Sequence, residues 1–318
     1  MSGQDLVVQL SEEGQRLDTF LAKRTGITRS QIQRFIEKGV VLVHGRAIRQ
    51  NYRVKSKDLI SLVIPEEKIK GLLPEPIHLE ILYRDDHIVV VNKPAGMVVY
   101  PSAGHDHGTL MNALLYHCKK LAVVGGPLRP GIVHRLDKGT SGVMVIALND
   151  EAYHNFVEQF RQRMVYKRYL ALIYGNLRGD QGEITLSIGR SESDRKKMST
   201  RVKKGRAAIT RWKVIERFRN ASLIEVSLKT GRTHQIRVHF ASIGHPILGD
   251  STYGRKIEID GRGKTKVFFP RQMLHAELLG FTHPASGEYL EFSASVPENM
   301  IEKIKELRYL GSSTSITK

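Results

Sequence analysis

The sequence predicts an α+β protein with either two domains or one large domain and a small appendage. Its 318 residues compare with roughly 150 residues for a typical domain, so more than one hydrophobic core is expected. Apolar runs of strand length alternate with segments of helical periodicity, which favours the α+β class. Hydrophobic residues make up 41% and charged residues 26% of the chain, a globular composition that excludes a disordered or fibrous protein.

The small domain is predicted over residues 14–65. Apolar residues three and four positions apart indicate two short helices, and Gly26 and Gly39 follow them where helices commonly end. Two apolar runs, at residues 40–43 and 59–64, indicate strands. The apolar helix positions are Leu17, Phe20, Leu21, Ile32, Phe35 and Ile36.

A linker is predicted over residues 66–76, because the stretch from Pro65 to Pro76 combines three prolines with mixed charges. The large domain is predicted over residues 77–305 and a C-terminal tail over residues 306–318. Within the large domain, the predicted strands are residues 88–92, 142–147, 169–174, 223–228 and 274–279, and the predicted helices are residues 109–117 and 151–163.

The positive charge of the chain is concentrated in two zones. The net charge is +18. Residues 14–65 contain 11 Lys/Arg against 3 Asp/Glu, and residues 190–219 contain 12 against 3. Two compact basic zones predict surfaces for a polyanion, of which nucleic acid is the commonest. The alternatives are solvated basic faces and, less favoured, an anionic membrane, since neither zone shows a long amphipathic helix.

The same composition excludes other classes. No run approaches the roughly 18 consecutive apolar residues that a membrane span needs, and the first residues lack a signal-peptide pattern. Cys118 is the only cysteine, which excludes an internal disulfide and a zinc site built on several thiolates. We expect a soluble, cytoplasmic monomer without a membrane partner.

Three familiar catalytic motifs fail on inspection. The run Gly263-Lys264-Thr265 resembles the end of a phosphate-binding loop, but Glu258 stands where that loop needs glycine. No Gly-x-Ser-x-Gly elbow occurs. The best histidine clusters, at residues 105–107 and 134–137, lack the spacing of metal ligands. We therefore expect neither a metal nor a cofactor.

Two other segments carry the candidate chemistry. Residues 131–142, Gly-Ile-Val-His-Arg-Leu-Asp-Lys-Gly-Thr-Ser-Gly, form a polar loop in front of an apolar strand. Such a loop can hold the carboxylate of Asp137 at a fixed point on a rigid scaffold. The alternative is a surface aspartate paired with a neighbouring Arg or Lys. Residues 230–239, Thr-Gly-Arg-Thr-His-Gln-Ile-Arg-Val-His, combine a tight turn with a polar run that contains Arg237.

Together these segments resemble the RluA family of RNA pseudouridine synthases. The similarity extends, in order and with compatible spacing, through residues 92–96, 167–171, 244–250, 253–254 and 274–276, and it covers roughly residues 14–300. The nearest type is the RluD-type enzyme of large-subunit ribosomal RNA, which has an N-terminal domain of the ribosomal protein S4 type. One departure is Tyr100, where the family usually has histidine.

The resemblance implies a fold and a site. The large domain would be a mixed, largely antiparallel sheet with flanking helices and a central cleft. Asp137 would be the catalytic carboxylate, acting on the sugar either as a nucleophile or through a glycal. Arg237 would pair with Asp137, and its guanidinium can do so through two parallel hydrogen bonds. The implied roles of the other residues are stacking and proton transfer for Tyr169, filling the space of a flipped uridine for Arg135, and orienting the loop or touching the RNA backbone for His134. Without the resemblance, the alternatives are a core aromatic residue for Tyr169 and a histidine satisfied by the local backbone for His134.

The small domain resembles the S4 RNA-binding domain. The match lies in Arg16-Leu17-Asp18, Ser30-Gln31-Ile32 and residues 39–43. RNA, most specifically large-subunit ribosomal RNA, is the expected partner. A catalytically inactive RNA-binding factor and, more distantly, a metal-dependent nuclease are the alternatives. The expected RNA-binding residues are Arg16, Arg29, Ser30, Gln33, Arg34, Lys38 and Arg46.

Overall fold

The computed structural model describes residues 2–25, 29–49, 51–64, 72–102, 104–126, 128–194, 197–254, 258–260 and 266–311. The chain divides into two compact units, Met1–Lys70 and Gly71–Lys318. No helix in the described ranges is long and apolar enough to cross a membrane.

The first unit contains two helices and a small antiparallel sheet. Its elements are β1 (Ser2–Val7), a 3-10 helix (Leu10–Glu12), α1 (Leu17–Thr25), α2 (Arg29–Glu37), β2 (Val41–Val43), β3 (Arg46–Ala47) and β4 (Leu59–Ile64). The sheet order is β1-β4-β2-β3. Leu17, Phe20 and Leu21 from α1 pack with Ile32 and Ile36 from α2 in the core. The predicted helices and strands are therefore confirmed.

The boundary of the first unit differs from the predicted start at residue 14. Strand β1 pairs with β4 along its whole length, from Ser2 opposite Ile64 to Val7 opposite Leu59. The first four residues of β1, Ser-Gly-Gln-Asp, are polar or glycine, so the sequence of this strand has only a weak strand signal.

The second unit is built on a mixed sheet, which confirms the predicted fold class. The sheet order is β5-β6-β7-β16-β8-β13-β12-β9, with β17 paired to β16. Strands β7 and β16 are parallel, and the other pairs in this sheet are antiparallel. The strands of the unit are β5 (Glu80–Arg84), β6 (Ile88–Lys93), β7 (Ser141–Ala147), β8 (Tyr166–Tyr174), β9 (Gln181–Thr185), β10 (Gly189–Arg190), β11 (Met198–Ser199), β12 (Ile209–Arg217), β13 (Ala221–Leu228), β14 (Glu258–Asp260), β15 (Lys266–Phe268), β16 (Leu274–Thr282) and β17 (Tyr289–Ser293).

Helices cover both faces of the sheet. They are α3 (Leu110–His117), α4 (Asp150–Gln162), α5 (Gln235–Ser242) and α6 (Glu298–Gly311). All seven residues of β7 are buried. Because side chains alternate across a strand, Met144 and Ile146 pack with α3, whereas Val145 packs with α4. The strand that follows the Asp137 loop is thus fixed from both sides.

Two predicted boundaries of the large domain are wrong. Residues 72–76, predicted as linker, pack on the second unit: Leu72 is buried in its core, and the Asn112 side chain donates to the Leu73 carbonyl oxygen at 2.8 Å. Residues 306–311, predicted as tail, continue α6, where Leu307 is buried. The remaining predicted linker and tail, 66–71 and 312–318, lie outside the described residues.

Candidate active site

The loop that carries Asp137 is held in place by its connection to β7 and by its neighbours. A side chain on Gly142 would collide with the carbonyl oxygen of Ala276 on β16, so only glycine allows these strands to approach this closely. Within the loop, the Thr140 amide donates to the Asp137 carbonyl oxygen at 3.0 Å. The Gln272 side chain donates to the Thr140 hydroxyl at 2.6 Å. Asp137 therefore has a defined position next to a buried strand.

Arg237 is shared between two carboxylates. It lies in the first turn of α5 with 7% of its side chain exposed. One Nη donates to Asp137 Oδ2 at 2.8 Å, while Nε and the other Nη donate to Asp250 at 2.7 and 2.9 Å. Burial works against the charge, but the hydrogen bonds and attraction of Asp250 and Asp137 hold the pKa of Arg237 above its usual value.

This arrangement corrects one detail of the sequence analysis. The two parallel hydrogen bonds expected between Arg237 and Asp137 go to Asp250, and Asp137 receives a single hydrogen bond. The geometry has a chemical consequence. A carboxylate has about four acceptor positions, so Asp137, 16% exposed, keeps acceptor capacity for a substrate while it remains hydrogen-bonded to Arg237.

Asp250 is a site residue that the sequence analysis did not assign. Its side chain is 1% exposed, and it accepts the backbone amides of Thr252 and Tyr253 at 2.9 and 3.2 Å in addition to Arg237. The preceding Gly249 has a φ of 77°, and a side chain there would collide with a neighbouring backbone carbonyl. The available signal was this Gly-Asp pair within residues 244–250, a segment that was matched to the family without a role.

Tyr169 and Asp137 line the same cavity. This Tyr169 cavity has a volume of about 620 Å³ and is bordered by β8 and by residues 228–234. Burial, and next the charge of Asp137, raise the pKa of the Tyr169 hydroxyl. The phenol therefore stays protonated in the neutral range, and its ring and hydroxyl are both available to a ligand in the cavity.

Arg135 lies at the exposed edge of the site. It lines the Tyr169 cavity and also a second cavity of about 820 Å³ on the side of Tyr100. One Nη of Arg135 donates to the Tyr100 hydroxyl at 3.0 Å, and the guanidinium carbon is 5.6 Å from the centre of the Tyr100 ring. Tyr100, the residue that departs from the family pattern, is thus in direct contact with Arg135.

The His134 side chain contacts other residues of the second unit. Its Nε2 accepts the Val145 amide at 3.1 Å, and its ring stacks on Phe160 with a centroid distance of 4.9 Å. Burial, assisted by the charge of Lys167, lowers the pKa of His134 to about 3, so the ring is neutral at physiological pH. Nε2 is thus satisfied by the local backbone, which is the alternative given above for His134, and a role in orienting the loop stays a prediction.

His234 and Tyr253 are further site residues that sequence reasoning missed. His234 adopts a left-handed conformation, φ 56°, immediately before α5. Its Nδ1 is 2.6 Å from the Tyr253 hydroxyl, and its Nε2 is 3.6 Å from Asp137 Oδ1. The Tyr253 ring also lies under the guanidinium of Arg237, at 5.0 Å. Both residues were inside matched motifs, but nothing local indicated that they meet at Asp137.

In the first unit, three of the expected RNA-binding residues converge on one carboxylate. Asp18 is fully buried and accepts two hydrogen bonds from Arg16, both at 3.1 Å. It also accepts Arg29 at 3.0 Å and Gln33 at 2.7 Å. Although burial opposes its charge, these donors hold the pKa of Asp18 well below its usual range. Asp18 therefore orients a basic surface.

The other expected RNA-binding residues are Ser30, Arg34, Lys38 and Arg46. Lys38 and Arg46 are exposed, after α2 and in β3 respectively. The side chains of Ser30 and Arg34 lie outside the described part of the chain. Within the described part, no group of three or more His, Cys, Asp or Glu side chains is placed to hold a metal ion.

Comparison with known proteins gives the class of the chain. A model of RNA pseudouridylate synthases matches residues 87–242, and a model of the S4 domain matches residues 15–60. An uncharacterised RNA pseudouridine synthase of Bacillus subtilis, YlyB, is 43% identical over 308 residues, 96% of this chain and 99% of its own. Ribosomal large subunit pseudouridine synthase D of Zymomonas mobilis is 44% identical over 300 residues, 92% of this chain and 94% of its own.

A solved structure gives the same result. Human RNA pseudouridylate synthase domain containing 1 aligns with a TM-score of 0.55 and 27% sequence identity, over 73% of this chain and 95% of its own. The chain therefore belongs to the RNA pseudouridine synthase family. It is an RNA-modifying enzyme with an N-terminal S4 domain, as the motifs predicted.

Proposed function

We propose that this enzyme converts uridines of large-subunit ribosomal RNA into pseudouridine and that Asp137 is its catalytic residue. The target is supported by the names of relatives such as the Zymomonas mobilis protein. The observation that carries the catalytic assignment is the contact of 2.8 Å between Arg237 and Asp137 Oδ2 at the wall of the Tyr169 cavity. A partly exposed carboxylate with a fixed cation and an adjoining cavity is arranged to act on a bound ligand.

The reaction is an isomerisation. The bond from uracil N1 to ribose C1′ breaks, the base turns, and a bond from C5 to C1′ forms. N1 gains a proton and C5 loses one, so no electrons are exchanged. In one route Asp137 attacks C1′, and in the other it removes a proton from the sugar to form a glycal. Both routes need an ionised carboxylate close to the ribose, and Arg237 places a guanidinium 2.8 Å from Asp137 Oδ2.

The other residues have complementary proposed roles. The target uridine must leave the helical stack before its C1′ and C5 can be reached. Arg135 is exposed beside Asp137 and contacts Tyr100, and we expect it to move into the space that the base leaves. The Tyr169 ring then stacks on the uracil, and its protonated hydroxyl is available to a base nitrogen or oxygen. The S4 domain supplies contacts to the RNA backbone.

The test is a complementation experiment. Wild type and Asp137→Asn are expressed in cells that lack their own large-subunit synthase, and pseudouridines are mapped across the ribosomal RNA. We expect wild type to restore specific sites in large-subunit RNA and the variant to restore none. Pseudouridine in transfer RNA alone would overturn the target, and sites restored by Asp137→Asn would overturn the catalytic assignment.

A further inference from the structure

The Tyr169 cavity carries more positive charge than the isomerisation requires. Besides Asp137 and Tyr169, it is lined by Arg163, Arg206 and Arg232. Asp137 is the only carboxylate among the described lining residues, and its one negative charge is fewer than the cations of the same lining. The three arginines therefore form an excess of cations at one wall of the cavity.

These arginines come from separate parts of the chain. Arg163 caps the C-terminus of α4 in a left-handed conformation. The backbone of Arg206, after β11, forms an antiparallel β-bridge with that of Ile188. Arg232 lies in the turn between β13 and α5. Arg232 is held by its Nε, which donates to the Ala207 carbonyl oxygen at 3.3 Å. The fold, and not a local run of basic residues, brings them to the same cavity.

Arg163, Arg206 and Arg232 are close enough for their like charges to interact. Burial lowers the pKa of the Arg232 guanidinium, and the charges of Arg206 and Arg163 lower it further. Like charges that face one cavity repel each other, and an anion between them would remove that repulsion.

Other arginines of the second unit have carboxylate partners. Arg161, which also lines the cavity, pairs with Glu158, and outside the cavity Arg168 pairs with Glu277 and Arg211 with Glu183. Among the described residues, no ion pair involves any of the three cavity arginines. Their convergence without acidic partners distinguishes them from an ordinary solvated basic face.

We propose that Arg163, Arg206 and Arg232 form a binding site for one RNA phosphodiester next to the flipped uridine. This inference rests on the proposed function, because Tyr169 and Asp137 in the same cavity define where the nucleotide lies. Planar guanidinium groups match phosphate oxygens through paired hydrogen bonds. The site would anchor the backbone of the nucleotide while its base turns between bond cleavage and bond formation.

The test compares charge removal inside and outside the cavity. Arg163→Gln, Arg206→Gln and Arg232→Gln are made singly, and Arg201→Gln is the matched control. Arg201 is exposed in the same basic zone, 190–219, but does not line the cavity. KM and kcat are measured on a ribosomal RNA fragment that contains a mapped target uridine, and thermal unfolding verifies that each variant is folded.

We expect each cavity variant to raise KM by about tenfold, since a charge-assisted hydrogen bond is lost, while kcat changes less. We expect Arg201→Gln to change KM by less than about twofold. Arg232→Lys keeps the charge but loses the paired N–H donors of the guanidinium. Its KM should therefore lie between those of wild type and Arg232→Gln. Equal effects of Arg201→Gln and the cavity variants would overturn the site, because a diffuse field would then explain binding.

A binding measurement separates this inference from the proposed function. In the Asp137→Asn background, the slope of log affinity against log salt should fall by about one for each cavity arginine removed. An unchanged slope in all three variants would contradict the phosphodiester site even if wild type is active. A wild-type enzyme that forms no pseudouridine in ribosomal RNA would overturn the proposed function instead, and the slope would still report whether the site binds RNA.

Discussion

Each of the two units contains an aspartate that accepts hydrogen bonds from arginine. The two aspartates differ in how deeply they are buried and in how many donors they have. In the first unit, Asp18 is fully buried and accepts hydrogen bonds from Arg16, Arg29 and Gln33. In the second unit, Asp137 remains 16% exposed and accepts one hydrogen bond from Arg237. The saturated carboxylate serves its partners by orienting them. The unsaturated one keeps acceptor positions for a ligand.

Asp250 makes the same distinction within the active site. It is as buried as Asp18 and is saturated by Arg237 and two backbone amides. Arg237 is therefore positioned by Asp250 and donates one hydrogen bond to Asp137. The comparison teaches that the number of donors around an aspartate, more than the presence of an arginine, separates an orienting carboxylate from one that can react.

The largest expected effect comes from removing the charge at Asp137. Asp137→Asn should lower kcat by at least about a thousandfold, since the reacting group is lost, with RNA affinity within about threefold of wild type. Pseudouridine formation and filter binding on the same fragment measure both quantities. Asp180→Asn, at an exposed carboxylate paired with Arg217, is the control and should retain full activity. An equal loss of activity in Asp180→Asn would contradict the assignment of Asp137 as the reacting carboxylate.

The second prediction concerns Arg237, which donates hydrogen bonds to both Asp137 and Asp250. Arg237→Lys should lower kcat by about a hundredfold, because an ammonium cannot span Asp137 and Asp250 with the same three hydrogen bonds. It should also lower the free energy of unfolding by about 2 kcal/mol, since Asp250 is left buried and incompletely paired. Denaturant unfolding and single-turnover kinetics are the measurements. Near-normal turnover would show that Asp137 does not need this cation.

A smaller effect is expected when Asp18 is replaced, and it concerns KM and not kcat. Asp18→Asn should raise KM for ribosomal RNA by about tenfold, because Arg16 and Arg29 lose the group that orients them, while kcat stays within about twofold. Arg53→Gln, an exposed arginine that donates to a backbone carbonyl of the same unit, is the control for charge alone. A fall in kcat with unchanged KM would contradict an orienting role for Asp18.

The smallest expected effect concerns pH. The pKa of His134 is lowered from 6.5 to about 3 in the folded protein, so the unfolded chain binds a proton first as pH falls. Stability should therefore decrease from pH 6.5 downwards, by about 1–2 kcal/mol at pH 5. His134→Gln should show a flatter profile over this range. Urea unfolding at pH 7, 6 and 5 measures the difference, and parallel profiles would show that His134 is not the group responsible.

Part of the fold and site could be predicted from sequence because the signal is local. Residues 142–147 are apolar and lie in a strand buried on both faces, so the loop before them was correctly expected to be polar and fixed. The helical segment that became α4 shows a clear apolar face, with Ala152 and Phe156 buried. In both cases the pattern within a few residues determines the element.

The rest depends on contacts that are distant in sequence. Strand β12, residues 209–217, pairs with β9 and β13 and was not assigned in the sequence analysis, although its apolar and charged residues alternate. The Arg237 contacts join residues 100 and 13 positions apart, and no local pattern states which carboxylate receives two hydrogen bonds. His234 and Tyr253 meet only because a left-handed residue starts α5.

The sharing of Arg237 also sets the charge balance of the reaction centre. With both carboxyl groups ionised, one guanidinium and two carboxylates carry a net charge of minus one in the free enzyme. As the glycosidic bond lengthens in the proposed reaction, positive charge grows on the ribose. The cluster therefore approaches neutrality at the transition state and not before it, which favours bond cleavage over tight binding of the intact nucleotide.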